Sequence, residues 1–186
     1  RSPVRDKVEI TEQRKNFRYG KNDEGVTQVK TSSFNNQGDR YKNDKVFPYQ
    51  ESCIWFWCSE ETTGTYTFNG NNTFKRFSTD GDVTIRNTGN SFGRTTIENG
   101  MYVNGNLYIG NGSDSYNPTQ YDKIQLSGPI YVNGNLTIKG ADAELNTLIY
   151  VNGEVTIQNS RINGLTLNGN EGSLIIFANK QIKISN

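Results

Sequence analysis

The sequence predicts an all-β chain, a parallel β-helix or β-solenoid of short irregular coils preceded by an N-terminal arm or cap. Three observations carry this. A nine-residue phrase occurs four times, as MYVNGNLYI at 101–109, IYVNGNLTI at 130–138, IYVNGEVTI at 149–157 and IFANKQIKI at 176–184. Its Asn falls at Asn104, Asn133, Asn152 and Asn179, giving intervals of 29, 19 and 27 residues, the range in which repeats build solenoids or arrays. Within each copy apolar and polar residues alternate, which is the period of a strand. The composition agrees: 186 residues, 32% hydrophobic, with 25 Asn and 19 Gly, suit many short strands and turns rather than long helices.

The Asn-Gly inside each phrase bends the chain, because both residues accept positive φ at little cost. Strand-Asn-Gly-strand is usually a hairpin. Arms of three residues are too short for an isolated one, whereas a corner between two faces of a β-helix takes its pairing from neighbouring coils. The 19-residue interval then approximates a minimal three-faced coil. The longer intervals hold insertions, such as Asn111 to Gln120.

Stacking the copies assigns each position. Met101, Ile130, Ile149 and Ile176 form one inward ladder, and Val103, Val132, Val151 and Ala178 the next. Leu107, Leu136, Val155 and Ile182, then Ile109, Ile138, Ile157 and Ile184, complete the core. Each fully buried aliphatic contributes about 1.5–3 kcal/mol. The four Asn stack at one corner and pass amide hydrogen bonds between coils, as amide ladders do. Outward run Tyr102, Tyr131, Tyr150 and Phe177 on one face, and Tyr108, Thr137, Thr156 and Lys183 on the other.

Weaker echoes precede the phrase. Tyr66–Asn71 carries an Asn-Gly corner, and Thr79–Ile85 carries Asp-Gly followed by Val-Thr-Ile. Thr95–Ile97, Lys123–Leu126 and Ile162–Leu167 supply the third face. Residues 1–58 read as a polar arm and aromatic cap segment, and 59–186 as the solenoid. The arm offers short strands at Val8–Ile10 and Thr27–Thr31, an alternative exposed helix over Glu9–Arg18, and loop at Asn35–Asp39. Solenoids need a cap over their first coil, and Ile54-Trp55-Phe56-Trp57 fits as a buried plug or a seat for the arm.

Cys53 and Cys58 enclose that apolar run. On a straight strand a five-residue step puts them on opposite faces, so a disulfide needs a turn between them. A loop staple in an exported protein is one reading; two buried thiols is the other. Two Cys and no His supply no ordinary four-ligand zinc site, and no metal or cofactor is expected.

Net charge is +1, so nucleic acid as a partner is unsupported by charge. No apolar run reaches a membrane span. The chain starts Arg1-Ser2-Pro3 and ends on strand-like Gln181–Ser185, which predicts a piece of something longer. Any membrane contact would run through a segment outside this chain. Without His there is no imidazole-based triad, and the acid pairs Asp80/Asp82 and Asp142/Glu144 sit at turns, where acids serve as turn formers. No catalytic residue is assigned. The candidate binding residues are Tyr102, Tyr131, Tyr150 and Phe177: a row of rings that stacks a sugar or seats a protein, or one whose rings stack on each other.

At IYVNGNLTI and IYVNGEVTI, followed by SLIIFANKQIKI, the chain resembles β-solenoid ectodomains of bacterial type IV pilus-associated proteins, including minor pilins. The likeness covers residues 80–186. It implies a non-enzymatic extracellular or cell-surface module, structural or adhesive, whose partners are other surface or pilus proteins, or a glycan. Bactofilins, the cytoplasmic polymer-forming β-helices, are similar in coil style and give the alternative of a cytoskeletal polymer. A carbohydrate-active β-helix enzyme is the second alternative.

Overall fold

The structure, a computed structural model, describes residues 26–30, 45–55, 57–61, 66–74, 77–79, 81–98 and 100–185. The expected segments Val8–Ile10, Glu9–Arg18 and Asn35–Asp39 lie outside these residues, as do Phe56 and Asp80.

Strand β1 (Val26–Lys30) pairs in parallel with β2 (Lys45–Ile54), and β2 folds back antiparallel on β3 (Trp57–Glu61). From Tyr66 the chain winds into about 5 turns of a β-solenoid. The first coil holds β4 (Tyr66–Asn69), β5 (Asn72–Phe74) and β6 (Phe77–Thr79). The second holds β7 (Val83–Arg86), β8 (Gly93–Ile97) and β9 (Met101–Val103). In the third, β10 (Leu107–Ile109) is followed by β11 (Asp122–Val132), and in the fourth β12 (Leu136–Lys139) by β13 (Ala141–Val151). The fifth holds β14 (Val155–Gln158), β15 (Arg161–Gly164), a small hairpin of β16 (Thr166–Leu167) and β17 (Asn170–Glu171), and β18 (Leu174–Ala178). Strand β19 (Ile182–Ser185) closes the described chain.

These strands make three faces, all paired in parallel. The threonine face runs β19-β14-β12-β10-β7-β4. The third face runs β15-β13-β11-β8-β5, and the tyrosine face joins β18, β13, β11, β9 and β6. Strands β11 and β13 each cross from the third face to the tyrosine face. Gly128 makes the bend in β11 at φ +121°, where a Cβ would run into the Ile97 carbonyl of the coil before. Thr147 stands at the same place one coil later and donates its hydroxyl to the Gly128 carbonyl.

The phrase stacks as its pattern predicts. Ile130 pairs with Met101 and Ile149, Val132 with Val103 and Val151, and Leu136 with Leu107 and Val155. All are buried in one continuous core that also takes in Tyr66, Phe68 and Phe77 of the first coil. Phe77 meets both rings edge-on, at 5.2 Å and 4.8 Å, a favourable aromatic arrangement. This aromatic packing, rather than an aliphatic ladder, fills the first coil.

The intervals acquire a cause. The 19-residue spacing from Asn133 to Asn152 has no insertion. The 29-residue spacing carries residues 110–121 between β10 and β11, and the 27-residue spacing carries the β16–β17 hairpin.

Five expectations need correction. Asp142 and Glu144 lie within strand β13 and not at a turn, because they alternate with the buried Ala141, Ala143 and Leu145 at the period of a strand. Tyr66 pairs with Val83, so Asn69-Gly70 turns from the threonine face to the third face and is not the corner of the phrase. A four-residue alternating strand fits any face of a solenoid, which is why its pattern misplaced it. Of Ile162–Leu167, only the part within β15 joins the third face; Thr166 and Leu167 leave it for the hairpin, whose Asn168-Gly169 turn takes positive φ at both residues. Trp55 is not a buried plug: it occupies the tip of the β2–β3 hairpin at φ 58° and is 88% exposed, while the side chains of Ile54, Phe56 and Trp57 lie outside the described residues. Ile182 and Ile184 belong to the inward ladder by register but are 45% and 73% exposed, because no described coil lies over them.

Candidate functional site

The corner where the tyrosine face meets the threonine face is built from the Asn-Gly-Asn core of the phrase, and three hydrogen-bonded columns run up it. In the first, side-chain amides connect: Asn133 Nδ2 donates to Asn104 Oδ1 at 2.8 Å, Asn152 Nδ2 to Asn133 Oδ1 at 2.8 Å, and Asn179 Nδ2 to Asn152 Oδ1 at 2.7 Å. In the second, the Gly105 N–H donates to the Gly81 carbonyl, Gly134 to Gly105, and Gly153 to Gly134. In the third, a side-chain oxygen of one coil accepts a backbone N–H of the next: Asn106 to Asp82 at 2.7 Å, Asn135 to Asn106 and Glu154 to Asn135, both at 2.8 Å. A Cβ on Gly105, Gly134 or Gly153 would overlap the carbonyl and side-chain oxygen below it. Glycine is required there by close approach. The sequence reading found the first column; the third was legible in the second Asn of VNGN and was missed.

This corner fixes the register of the tyrosine face. Tyr102 pairs with Tyr131, Tyr131 with Tyr150, and Tyr150 with Phe177, so the four predicted residues do form one column. They are not equivalent. Tyr102 is 1% exposed and packs with Tyr131, with its hydroxyl donating to Asn104 Oδ1 at 3.3 Å. Tyr131, Tyr150 and Phe177 are half-buried. The Tyr131 and Tyr150 rings lie 5.3 Å apart and 8° from parallel, and Tyr150 and Phe177 5.3 Å apart at 27°. Nearly parallel rings at that spacing have to overlap, since they are too wide to lie side by side in one plane. They turn much of their faces to one another.

A second column, not foreseen, runs beside the first. Pro129 pairs with Leu148 and Leu148 with Ile175, all on the outer side because Ile130, Ile149 and Ile176 point inward. Six apolar side chains in two rows therefore cover the outer tyrosine face over three coils, with no charged residue among them. The neighbouring row, Ser127 and Asn146, is also neutral. The signal was the apolar residue two places before Tyr131, Tyr150 and Phe177, which falls outside the nine-residue phrase.

The insertion at 110–121 stands on another edge. Asn111 folds it by accepting the Ser113 N–H and donating to the Gln120 carbonyl, both at 2.8 Å. Lys139 pairs with Asp114, and that hydrogen bond and charge hold the Asp114 carboxyl below its ordinary range. Tyr116 is exposed and packs edge-on against buried Tyr121.

Three of the four acids considered for catalysis lie among the described residues, and Asp82 and Glu144 have hydrogen-bond partners. Asp82 caps the corner column, Glu144 accepts from Gln125 Nε2 at 2.8 Å, and Asp142 sits in register with Arg161 on the third face. Among the described residues no three of His, Cys, Asp or Glu gather as metal ligands. Cys53 lies directly opposite Cys58 in the β2–β3 register, across the turn at Trp55. The turn that a disulfide requires is therefore present. Opposed residues of an antiparallel pair stand about 4.5–5.5 Å apart at Cα, within the span of a disulfide.

The fold and its corner columns define a parallel β-solenoid with short, irregular coils. No family model, curated protein or solved structure matches this chain.

Proposed function

We propose that this chain is a non-enzymatic, surface-displayed bacterial β-solenoid of the pilus-associated kind, which seats a protein partner on its outer tyrosine face. One observation carries the reading: the two-row apolar stripe of Pro129, Leu148, Ile175, Tyr131, Tyr150 and Phe177 on a rigid, hydrogen-bonded scaffold. Scattered surface apolar residues need no explanation, but contiguous ones mark interaction surfaces. The overlap of the rings favours a protein over a glycan, because sugars stack on open ring faces. The opposed cysteines support an oxidising compartment, where such a pair closes into a staple.

Two measurements test this. In cells that make the chain, antibody to the solenoid labels the intact surface; labelling that needs permeabilisation overturns display. On the purified chain, thiols become open to alkylation only after reduction. Free thiols with concentration-dependent polymers establish the bactofilin-like polymer instead. The buried aromatics of the first coil argue against that polymer, since end-to-end stacking needs both ends open. Tyr131→Ser with Tyr150→Ser keeps the β circular dichroism and loses the partner; retained binding removes the stripe as the site.

A further inference from the structure

The chain contains eight Asn-Gly dipeptides, at Asn69, Asn99, Asn104, Asn111, Asn133, Asn152, Asn163 and Asn168. Asn-Gly is where a polypeptide most readily attacks itself, since glycine offers no side chain to hinder its own amide nitrogen. The attack needs that nitrogen released from its hydrogen bond and the Asn side chain free to swing over it.

The fold withdraws both freedoms at most of these sites. At Asn104, Asn133 and Asn152 the side chain is locked in the amide column and the following glycine N–H is bonded to the coil before. Asn69 exchanges two hydrogen bonds with Thr88 while the Gly70 N–H donates to the Arg86 carbonyl. Asn111 is held by Ser113 and Gln120 while Gly112 donates to Lys139. Asn163 and Gly164 lie in strand β15, their backbone in register with Glu144 and Leu145 of the coil before. Asn99 lies outside the described residues.

Asn168 is different. It and Gly169 form the whole two-residue turn of the β16–β17 hairpin, at φ 51° and 78°. Both are exposed, open space surrounds Gly169, and neither the Asn168 side chain nor the Gly169 N–H has a hydrogen-bond partner among the described residues.

We infer that Asn168 is a spontaneous modification site, a self-deamidating turn that takes water and releases ammonia. The Gly169 nitrogen bonds to Asn168 Cγ, the Cγ–Nδ2 bond breaks, and ammonia leaves with the proton from nitrogen, closing a succinimide. Water then opens the ring. Opening at Cγ gives aspartate; opening at the main-chain carbonyl gives isoaspartate, with the backbone rerouted through one extra methylene. Either product carries a new negative charge. The isoaspartate also breaks the Leu167–Asn170 pairing that closes the hairpin.

The test is peptide mapping of the full chain held in warm, mildly alkaline buffer, with and without urea. The folded chain converts Asn168 about tenfold or more faster than Asn104, Asn133 or Asn152, because those react only after local opening. In urea the four rates converge. Asn168→Ser removes the early product and keeps the melting transition. The inference is overturned if a corner asparagine converts as fast as Asn168 in the folded chain. It is equally overturned if Asn168 stays intact over the time in which the unfolded chain converts.

Discussion

Asn152 donates its Nδ2 hydrogen to Asn133 Oδ1 at 2.8 Å, and Asn133 does the same to Asn104 at 2.8 Å. Each central asparagine is thus donor and acceptor in one column, and both of its neighbours depend on it.

Replacing Asn133 by Ala leaves the Asn152 donor and the Asn104 acceptor without each other's link at a half-buried corner. An unsatisfied polar group costs about 1–3 kcal/mol, so the urea midpoint of Asn133→Ala falls by an amount in that range. Asn179→Ala, at the exposed last rung, costs well under half as much. Equal losses for the two would show that continuity of the column contributes nothing.

The corner glycines give a steric contrast. Gly134→Ala drives a Cβ into the Gly105 carbonyl and Asn106 Oδ1, and neighbouring backbone has no room to yield. Gly169→Ala meets open space and bears only the strain of positive φ, on the order of 1 kcal/mol. Thermal denaturation should lower the first variant's midpoint clearly further than the second's. The reverse order contradicts the corner packing.

Position within the ladder decides the effect of a buried charge. Ile138→Asp places an unpaired carboxylate in the sealed core, which costs several kcal/mol and collapses the solenoid. Ile184→Asp makes the same chemical change at a largely exposed member of the same ladder and leaves the far-ultraviolet circular dichroism intact. Parental melting of Ile138→Asp would refute the inward assignment.

Asp114 supplies a pH test. Lys139 lowers its folded pKa, first through the hydrogen bond and then through charge. Whatever stability this pair contributes is present above the ordinary aspartate range and is lost as pH falls through the lower folded value. Carboxyl chemical shifts read across an acid titration should show Asp114 titrating below the ordinary range, and Lys139→Ala should bring it back. Being exposed, the pair also weakens in salt. An ordinary titration in the parent chain would show that Lys139 is not engaged in solution.

The fold was legible because the phrase carries its own register. Ile130, Val132, Leu136 and Ile138 alternate with Tyr131 and Thr137, and four copies over-determine which set is buried. The first coil was less legible, since Tyr66, Phe68 and Phe77 fill it by edge-on aromatic packing that leaves no repeat to find. Trp55 was misplaced because composition made it apolar, while a two-residue hairpin turn set its direction. The candidate surface was half legible: the tyrosine column lies within the phrase, but Pro129, Leu148 and Ile175 share no residue type. Only the paired strands reveal that they are one row.

The corner column also has an electrical direction. Every rung of Asn104, Asn133, Asn152 and Asn179 points its N–H toward the first coil and its oxygen toward the last. Side-chain amides carry dipoles like those of the backbone, and dipoles aligned head to tail along one axis add, as they do in a helix. The column therefore has a partial positive end at Asn104 and a partial negative end at Asn179, and the Asp82 carboxylate that begins the neighbouring column stands beside the positive end, where a negative charge is favourable.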